Sequence, residues 1–400
     1  MDIKVELAFD SNKGSGPFFV IGDSTRGLIG GSFVLGGEGI FVDISQELRA
    51  VSIRRGKSRE LNRYDAGQLT LSFNNNNRWF DPNYDLSPYF GQIVPRREIR
   101  LSIDGDYQFV GVVEDWSLAY DPSGVSVASC VAIDSFSYLA GQFINDLDEP
   151  AQLSGARINA TLDNIAWPAE LRDIDNGQQT LEADLVTSPT AVVDYFSLIE
   201  QSEPGSIFIA KDGKVKFVDR ASGYVESEVI FSDDGTNVPY ENIAVVYGSE
   251  LLYNRIVLSN SSDSYTAQDA VSQDAYGVRE LIQTTLIEES IDLANTAEFL
   301  LTRYKEPEFR FENLTIGIDS LEASMQADVL GLELGDIIQI QFTPSGIPPQ
   351  ITQGARIISI EHRGDPSNYQ VVFGFESLGG SPFIIGSANF GIIGEGVIGF

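Results

Sequence analysis

Carboxylates are the reactive groups this sequence holds in abundance, 58 Asp and Glu among 400 residues. They cluster at Asp146, Asp148 and Glu149, at Asp233 and Asp234, and at Glu288 and Glu289. Two carboxyls held at a fixed separation across a sugar would hydrolyse a glycosidic bond, one as acid and one as base or nucleophile. Nothing in the spacing selects a pair, so abundance makes each cluster uninformative. The single histidine, His362, lies in Arg356-Ile357-Ile358-Ser359-Ile360-Glu361-His362-Arg363, which alternates like a strand, and no Ser or Cys elbow accompanies it. An ordinary strand histidine is the plainer reading. The single cysteine, Cys130, has no intrachain disulfide partner, and a four-ligand Cys/His zinc set does not exist, so a core thiol is expected.

Other ligand signals are equally thin. Asp173-Ile174-Asp175-Asn176-Gly177 begins like a calcium loop, but its glycine comes one position early and the twelfth residue is Asp184 rather than a bidentate Glu. No Gly-rich loop with Lys and Ser/Thr is present for phosphates. Arg363-Gly364-Asp365 spells an adhesion tripeptide in the setting of a hairpin turn. No cofactor, metal or catalytic residue is therefore expected.

Charge is distributed unevenly. Residues 51–101 carry nine of the 26 Lys and Arg against five acids, while the remainder holds 17 bases and 53 acids, for a net charge of −32. Such acidity opposes nonspecific binding to DNA or an anionic membrane. Arg54, Arg55, Lys57, Arg59, Arg63, Arg96 and Arg97 form the basic island, with only Tyr64 and Trp79 as aromatic companions for a nucleic-acid reading. Ion pairing with acidic faces of this chain or of a neighbour is more economical.

The elements that would position these residues are mostly strands. Leu69, Leu71 and Phe73 alternate with Gln68, Thr70 and Ser72. Runs at 99–103 and 107–113 flank Asp104-Gly105, and runs at 207–210 and 214–218 flank Asp212-Gly213, both hairpin signals. A helix is expected from Ser154 as cap toward Trp167, where Pro168 stops it, and a second opens at Ser188-Pro189 with Val192, Val193, Phe196 and Ile199 inward. A third helix is expected near 294–304, with strands at 310–318, 336–342, 355–361 and 369–375. Phe19-Val20-Ile21-Gly22 with Gly27-Leu28-Ile29-Gly30 recurs as Phe383-Ile384-Ile385-Gly386 with Gly391-Ile392-Ile393-Gly394, at an offset of 364 residues. These apolar, glycine-punctuated ends need cover from each other or from neighbouring chains. No secretory leader and no apolar run near 20 residues is seen, so synthesis in a cytoplasm without a membrane span is expected. The Asn-x-Ser/Thr matches at Asn159, Asn260 and Asn313 then lose their usual meaning.

The fold class expected is mainly β with an α+β insertion: two barrel-like antiparallel β domains flanking a small α/β domain, with glycine-rich, β-forming termini. The boundaries expected are 1–42, 43–140, 141–224, 225–378 and 379–400.

The string Arg55-Gly56-Lys57-Ser58-Arg59-Glu60-Leu61, through Tyr64-Asp65-Ala66-Gly67-Gln68-Leu69-Thr70-Leu71 to Asn77-Arg78-Trp79-Phe80-Asp81-Pro82, resembles the N-terminal signature of minor tail proteins of long-tailed bacteriophages, which belong with the baseplate hub, or tail hub, proteins. The resemblance continues, in order, at Trp167-Pro168, Ser202-Glu203-Pro204-Gly205-Ser206-Ile207-Phe208, Asp212-Gly213, Asp219-Arg220, Tyr253-Asn254, Arg303-Tyr304 and Leu334-Gly335-Asp336. It implies a structural homotrimer in the virion, two barrels per chain forming a pseudo-sixfold ring. That ring would join the tail tube or distal tail protein to the tip, fibre or tape-measure protein and surround a channel that DNA only transits. The alternatives are a virion-associated glycan hydrolase and a host-binding adhesion module. The residues expected at subunit contacts are Arg54, Arg55, Lys57, Arg59, Arg63, Arg96, Arg97, Phe19, Ile21, Phe383 and Ile385.

Overall fold

In the computed structural model the described residues are 1–9, 40–220, 226–365 and 367–378. Both repeated end segments, with Phe19, Ile21, Phe383 and Ile385, lie outside them.

The first strands are β1 (Ile3–Phe9), β2 (Ile40–Asp43), β3 (Leu48–Gly56), β4 (Asp65–Asn74), β5 (Glu98–Ile103), β6 (Asp106–Tyr120) and β7 (Ser126–Ile133), and burial alternates most regularly along β4 and β7. Leu69, Leu71 and Phe73 of β4 are fully buried, while Gln68 and Thr70 face outward. Each such burial contributes about 1.5–3 kcal/mol relative to exposure. Asp104 and Gly105 both take positive φ, 51° and 90°, and close β5 onto β6 as the sequence predicts. Cys130 is buried in β7.

Three helices follow: α1 (Phe136–Ala140), α2 (Ser154–Asn164) and α3 (Val192–Ser202). The hairpin β8 (Ser206–Ile209) and β9 (Val215–Val218) turns at Gly213. Two helix starts differ from expectation. Ser154 is the first helical residue rather than the cap, because its hydroxyl is taken by the Glu203 carboxylate. The chain after Ser188-Pro189 first pairs Thr190–Ala191 with Phe143–Ile144, which delays α3 to Val192. Ile158, Leu162, Phe196, Ile199 and Phe217 pack together as a separate core. Gly155 sits where a Cβ would clash with the Asp175 and Asn176 carbonyl groups. Gly155→Ala is expected to cost about 1–3 kcal/mol through backbone displacement, read as a lowered urea midpoint with the slope unchanged.

The remaining elements are β10 (Glu226–Ser232), β11 (Asn242–Gly248), β12 (Arg255–Ser259), β13 (Ser264–Gln268), α4 (Ala270–Tyr276), β14 (Glu280–Thr284), α5 (Ser290–Tyr304), β15 (Glu308–Gly317), α6 (Ala323–Gly331), β16 (Ile337–Phe342), β17 (Ile351–Asp365) and β18 (Asn368–Ser377). Within this stretch β13, β12 and β14 make their own small sheet. It packs on α5 around Ile256, Leu258, Leu293, Ala297 and Leu301.

The mainly-β expectation holds. Strands of both β units belong to one 13-stranded sheet in the order β11-β15-β18-β17-β3-β4-β7-β6-β5-β1-β2, with β16 on β17 and β10 parallel to β16. The units join where β3 runs antiparallel to β17, Arg54 opposite Glu361 and Ile53 opposite His362. One apolar core, from Leu71 and Phe109 to Phe231, Leu314 and Phe373, runs across that junction.

Candidate functional site

The signature segment after β3 lies where the three cores meet. Its strand end points Arg55 into the protein, 4% exposed, against Glu333 at 2.5 Å and the Ile209 carbonyl at 3.1 Å. Glu333 also accepts from the Lys211 backbone N–H at 2.8 Å, and Lys211 Nζ reaches Asp106 at 2.7 Å. One arginine therefore ties β3, the insertion hairpin and the Leu334-Gly335-Asp336 motif together.

Two residues on, Lys57 is also buried and donates to the Glu60 carbonyl at 2.7 Å. Its ammonium stands 3.5 Å from Glu376 of β18. Burial alone would lower the Lys57 pKa, but the neighbouring Glu376 carboxylate raises it above the ordinary lysine value. Glu376 in turn is held at 3.0 Å by Arg356 and 3.6 Å by Arg303. Burial pushes its carboxyl up, and Lys57, Arg356 and Arg303 together pull it below the ordinary glutamate value. Arg303 Nε also donates to Glu60 at 2.8 Å, and the Tyr304 hydroxyl donates to the same oxygen at 2.8 Å. Tyr304 then receives Tyr253 N–H on its carbonyl. Residues of three of the motifs, at 57–60, 253 and 303–304, thus meet Arg356 and Glu376, which lie in none of them, in one network of three cations and two carboxylates.

The other motifs are also spent on structure. Glu203 accepts from Gln178 N–H, Gln179 N–H and the Ser154 hydroxyl, which fixes α2, α3 and the loop between them. The Asn254 side chain bonds Ser272, the Gly277 carbonyl and the Arg279 N–H. Asp81 accepts a two-pronged contact from Arg78 at 3.0 and 2.7 Å, which holds its carboxyl below the ordinary range.

The seven described interface candidates divide. Arg55, Lys57 and Arg97 are buried, and Arg97 donates to Gln92 at 3.0 Å, so these three serve this chain's own packing rather than its outer surface. The energetic reason is desolvation: a cation that deep needs its partner in place permanently. Arg54, Arg59, Arg63 and Arg96 are exposed. Of these Arg59 pairs with Glu250 at 2.6 Å, Arg63 with Asp194 at 3.0 Å and Arg96 with Glu114 at 2.8 Å.

Sequence reasoning missed Glu333, Glu376 and Glu203. Glu203 stood inside a resemblance-carrying motif with no role assigned to it, while the only signal of Glu333 and Glu376 was presence among 58 acids. Of the possible reactive groups, Asp173 and Asp175 are occupied by Lys216 at 3.7 Å and the Asp219 N–H at 3.0 Å. His362 is buried beside Tyr369, and burial with Arg55 and Lys211 nearby pushes its pKa down to about 3, so it is a neutral strand histidine. Among the described residues no helix is long and apolar enough to cross a membrane.

No family model and no curated protein matches this sequence. Among solved structures, the chain is similar to the 43 kDa tail protein of prophage MuSo2 from Shewanella oneidensis, with TM-score 0.57 and 12% identity, over 85% of this chain and 96% of that one. It is likewise similar to the tail protein from Neisseria meningitidis MC58, with TM-score 0.59 and 10% identity, over 85% of this chain and 94% of that one. At such identities the shared property is the fold, and the resemblance carried by the motifs is met at that level: this chain has the fold of these two tail proteins.

Proposed function

We propose that this chain is a structural component of a long phage tail, a hub joining the tail tube to the distal tip or baseplate around the channel through which DNA leaves. The observation that carries this reading is the fold shared with two tail proteins over nearly their whole length. The motif residues support a non-enzymatic role, since they are spent on holding three cores together. In this reading the protein is made in the host cytoplasm and incorporated in the virion. Three copies form a ring, and the net charge of −32 keeps transiting DNA from adhering. The two β units act as two lobes of the ring, the insertion packs beside them, and the repeated ends dock neighbouring chains.

Native mass spectrometry of the full chain tests the assembly, with a trimer as the expected mass. A species that stays monomeric or dimeric at tens of micromolar overturns the ring. Exposed arginines supply the second arm: Arg54→Glu with Arg96→Glu is expected to weaken the trimer at least about tenfold while leaving the thermal midpoint within a few degrees. An unchanged trimer in that variant removes these arginines from the interface.

A further inference from the structure

Among the three cores lies a cavity of about 570 Å³, within the range of small-ligand sites. Its walls come from the 57–65 segment, the end of α3, α5, Arg356 and Glu376. What it can hold follows from which of its groups are already engaged. The buried charges are engaged: Lys57, Arg303 and Arg356 share Glu60 and Glu376, and Glu200 faces Lys57 as a third carboxyl. Arg63 is paired with Asp194, and the lining adds one further residue of each sign, Arg220 and Asp65. No charge is left over, so an ionic occupant would lose its hydration without gaining a counter-charge.

The uncharged polar groups, by contrast, are open. Thr296 of α5 lines the cavity at 3% exposure with no hydrogen-bond partner for its hydroxyl among the described residues. A buried hydroxyl left unsatisfied is costly, so an occupant that bonds it is favoured. The side-chain amides of Gln201, Gln283 and Asn295 also line the cavity without a hydrogen bond among the described residues, and each can both donate and accept. A purely apolar occupant would strand all four groups. Leu61, Pro204 and the half-buried Phe299 supply an apolar part of the wall.

We propose that this cavity binds a neutral sugar. Its hydroxyls donate and accept, matching the three amides and Thr296, and the C–H face of a pyranose ring suits the electron-rich face of Phe299. A neutral peptide backbone meets the amides as well but offers no ring face to Phe299, and it is the rival arm of the test. The inference rests on the cavity alone and stands or falls apart from the tail assignment.

Saturation-transfer NMR titrations of the full chain test it with glucose, galactose and N-acetylglucosamine, with glucuronate as a charged sugar and with N-acetylalanine methylamide as a bare peptide. At least one neutral sugar is expected to bind with Kd below about 10 mM, and glucuronate and the peptide at least about fivefold more weakly than the best neutral sugar. Thr296→Val keeps the side-chain volume and removes a hydroxyl that bonds nothing among the described residues, so the fold is retained. It is expected to weaken the best sugar about fivefold or more, as is the exposed Asn295→Ala. No neutral sugar binding below about 10 mM, glucuronate or the peptide equalling the best sugar, or both variants binding like the parent overturns the proposal.

Discussion

Glu376→Ala is expected to lower the unfolding free energy by about 3–5 kcal/mol, the cost of leaving a buried charge without its partner. Three cations depend on this one carboxylate: Arg356 at 3.0 Å, Lys57 at 3.5 Å and Arg303 at 3.6 Å. Glu60 compensates Arg303 in part, but Lys57 reaches Glu60 only at its backbone carbonyl. Native stabilities run to about 5–15 kcal/mol, so a loss of this size moves the protein close to unfolding. Urea denaturation is the measurement, and Glu376→Gln, which keeps the shape and one acceptor oxygen, is expected to fall between Ala and the parent. The control is Arg59→Ala at the surface pair with Glu250, 66% and 52% exposed, where the expected change is under about 1 kcal/mol. A Glu376→Ala loss no larger than that of Arg59→Ala would show that the network contributes nothing beyond a surface pair.

The contrast between those two pairs shows where sequence reasoning reached and where it stopped. Local rules placed the β4 alternation, the Asp104-Gly105 turn and α5, because each depends on neighbours within a few positions. They also located the basic island as a place of ion pairing. They had no means of saying which arginines point inward, because Arg55 meets a glutamate 278 residues away. Glu376 is the sharper case. Alternation along β18 buries Tyr369, Val371 and Phe373, which leaves Gln370, Val372, Gly374 and Glu376 on the other face. Glu376 is nevertheless 6% exposed, because Arg303 of α5 and Lys57 close over that end of the strand. The same long-range logic joins the two expected β units into one sheet: only the pairing of β3 with β17 creates it, and neither strand's own pattern names its partner.

Lowering the pH from 8 to 5 is expected to raise stability, and Glu200→Gln is expected to remove part of that rise. Glu200 accepts the Ile207 N–H at 2.7 Å, and Asp134 accepts Gly67 and Phe136 N–H at 2.7 and 2.9 Å. Burial pushes both carboxyls up to about 7, against these N–H groups and against Lys57 and Arg63 for Glu200 and Arg55 for Asp134. Each folded pKa lies above its unfolded value of 4.5 or 3.8, so the folded chain holds the proton more tightly. Their contribution is full below about 4 and is lost as pH rises through about 7. His362 acts in the opposite sense: its folded pKa falls from 6.5 to about 3, so its contribution is full above 6.5 and is lost toward 3. Between 6.5 and 4.5 two carboxyls gain while one histidine loses, a net slope of about 1.4 kcal/mol per pH unit in favour of acid. The drop in net negative charge toward the pI of 4.2 acts in the same direction, so the parent curve alone does not identify the groups. Glu200→Gln does, because it keeps the acceptor for Ile207 and abolishes one titration. That variant is expected to exceed the parent by about 1–3 kcal/mol at pH 8 and to converge with it near pH 4.5. Parallel curves for the two proteins from pH 8 to 5 would assign the rise to overall charge and clear Glu200 of any part in it.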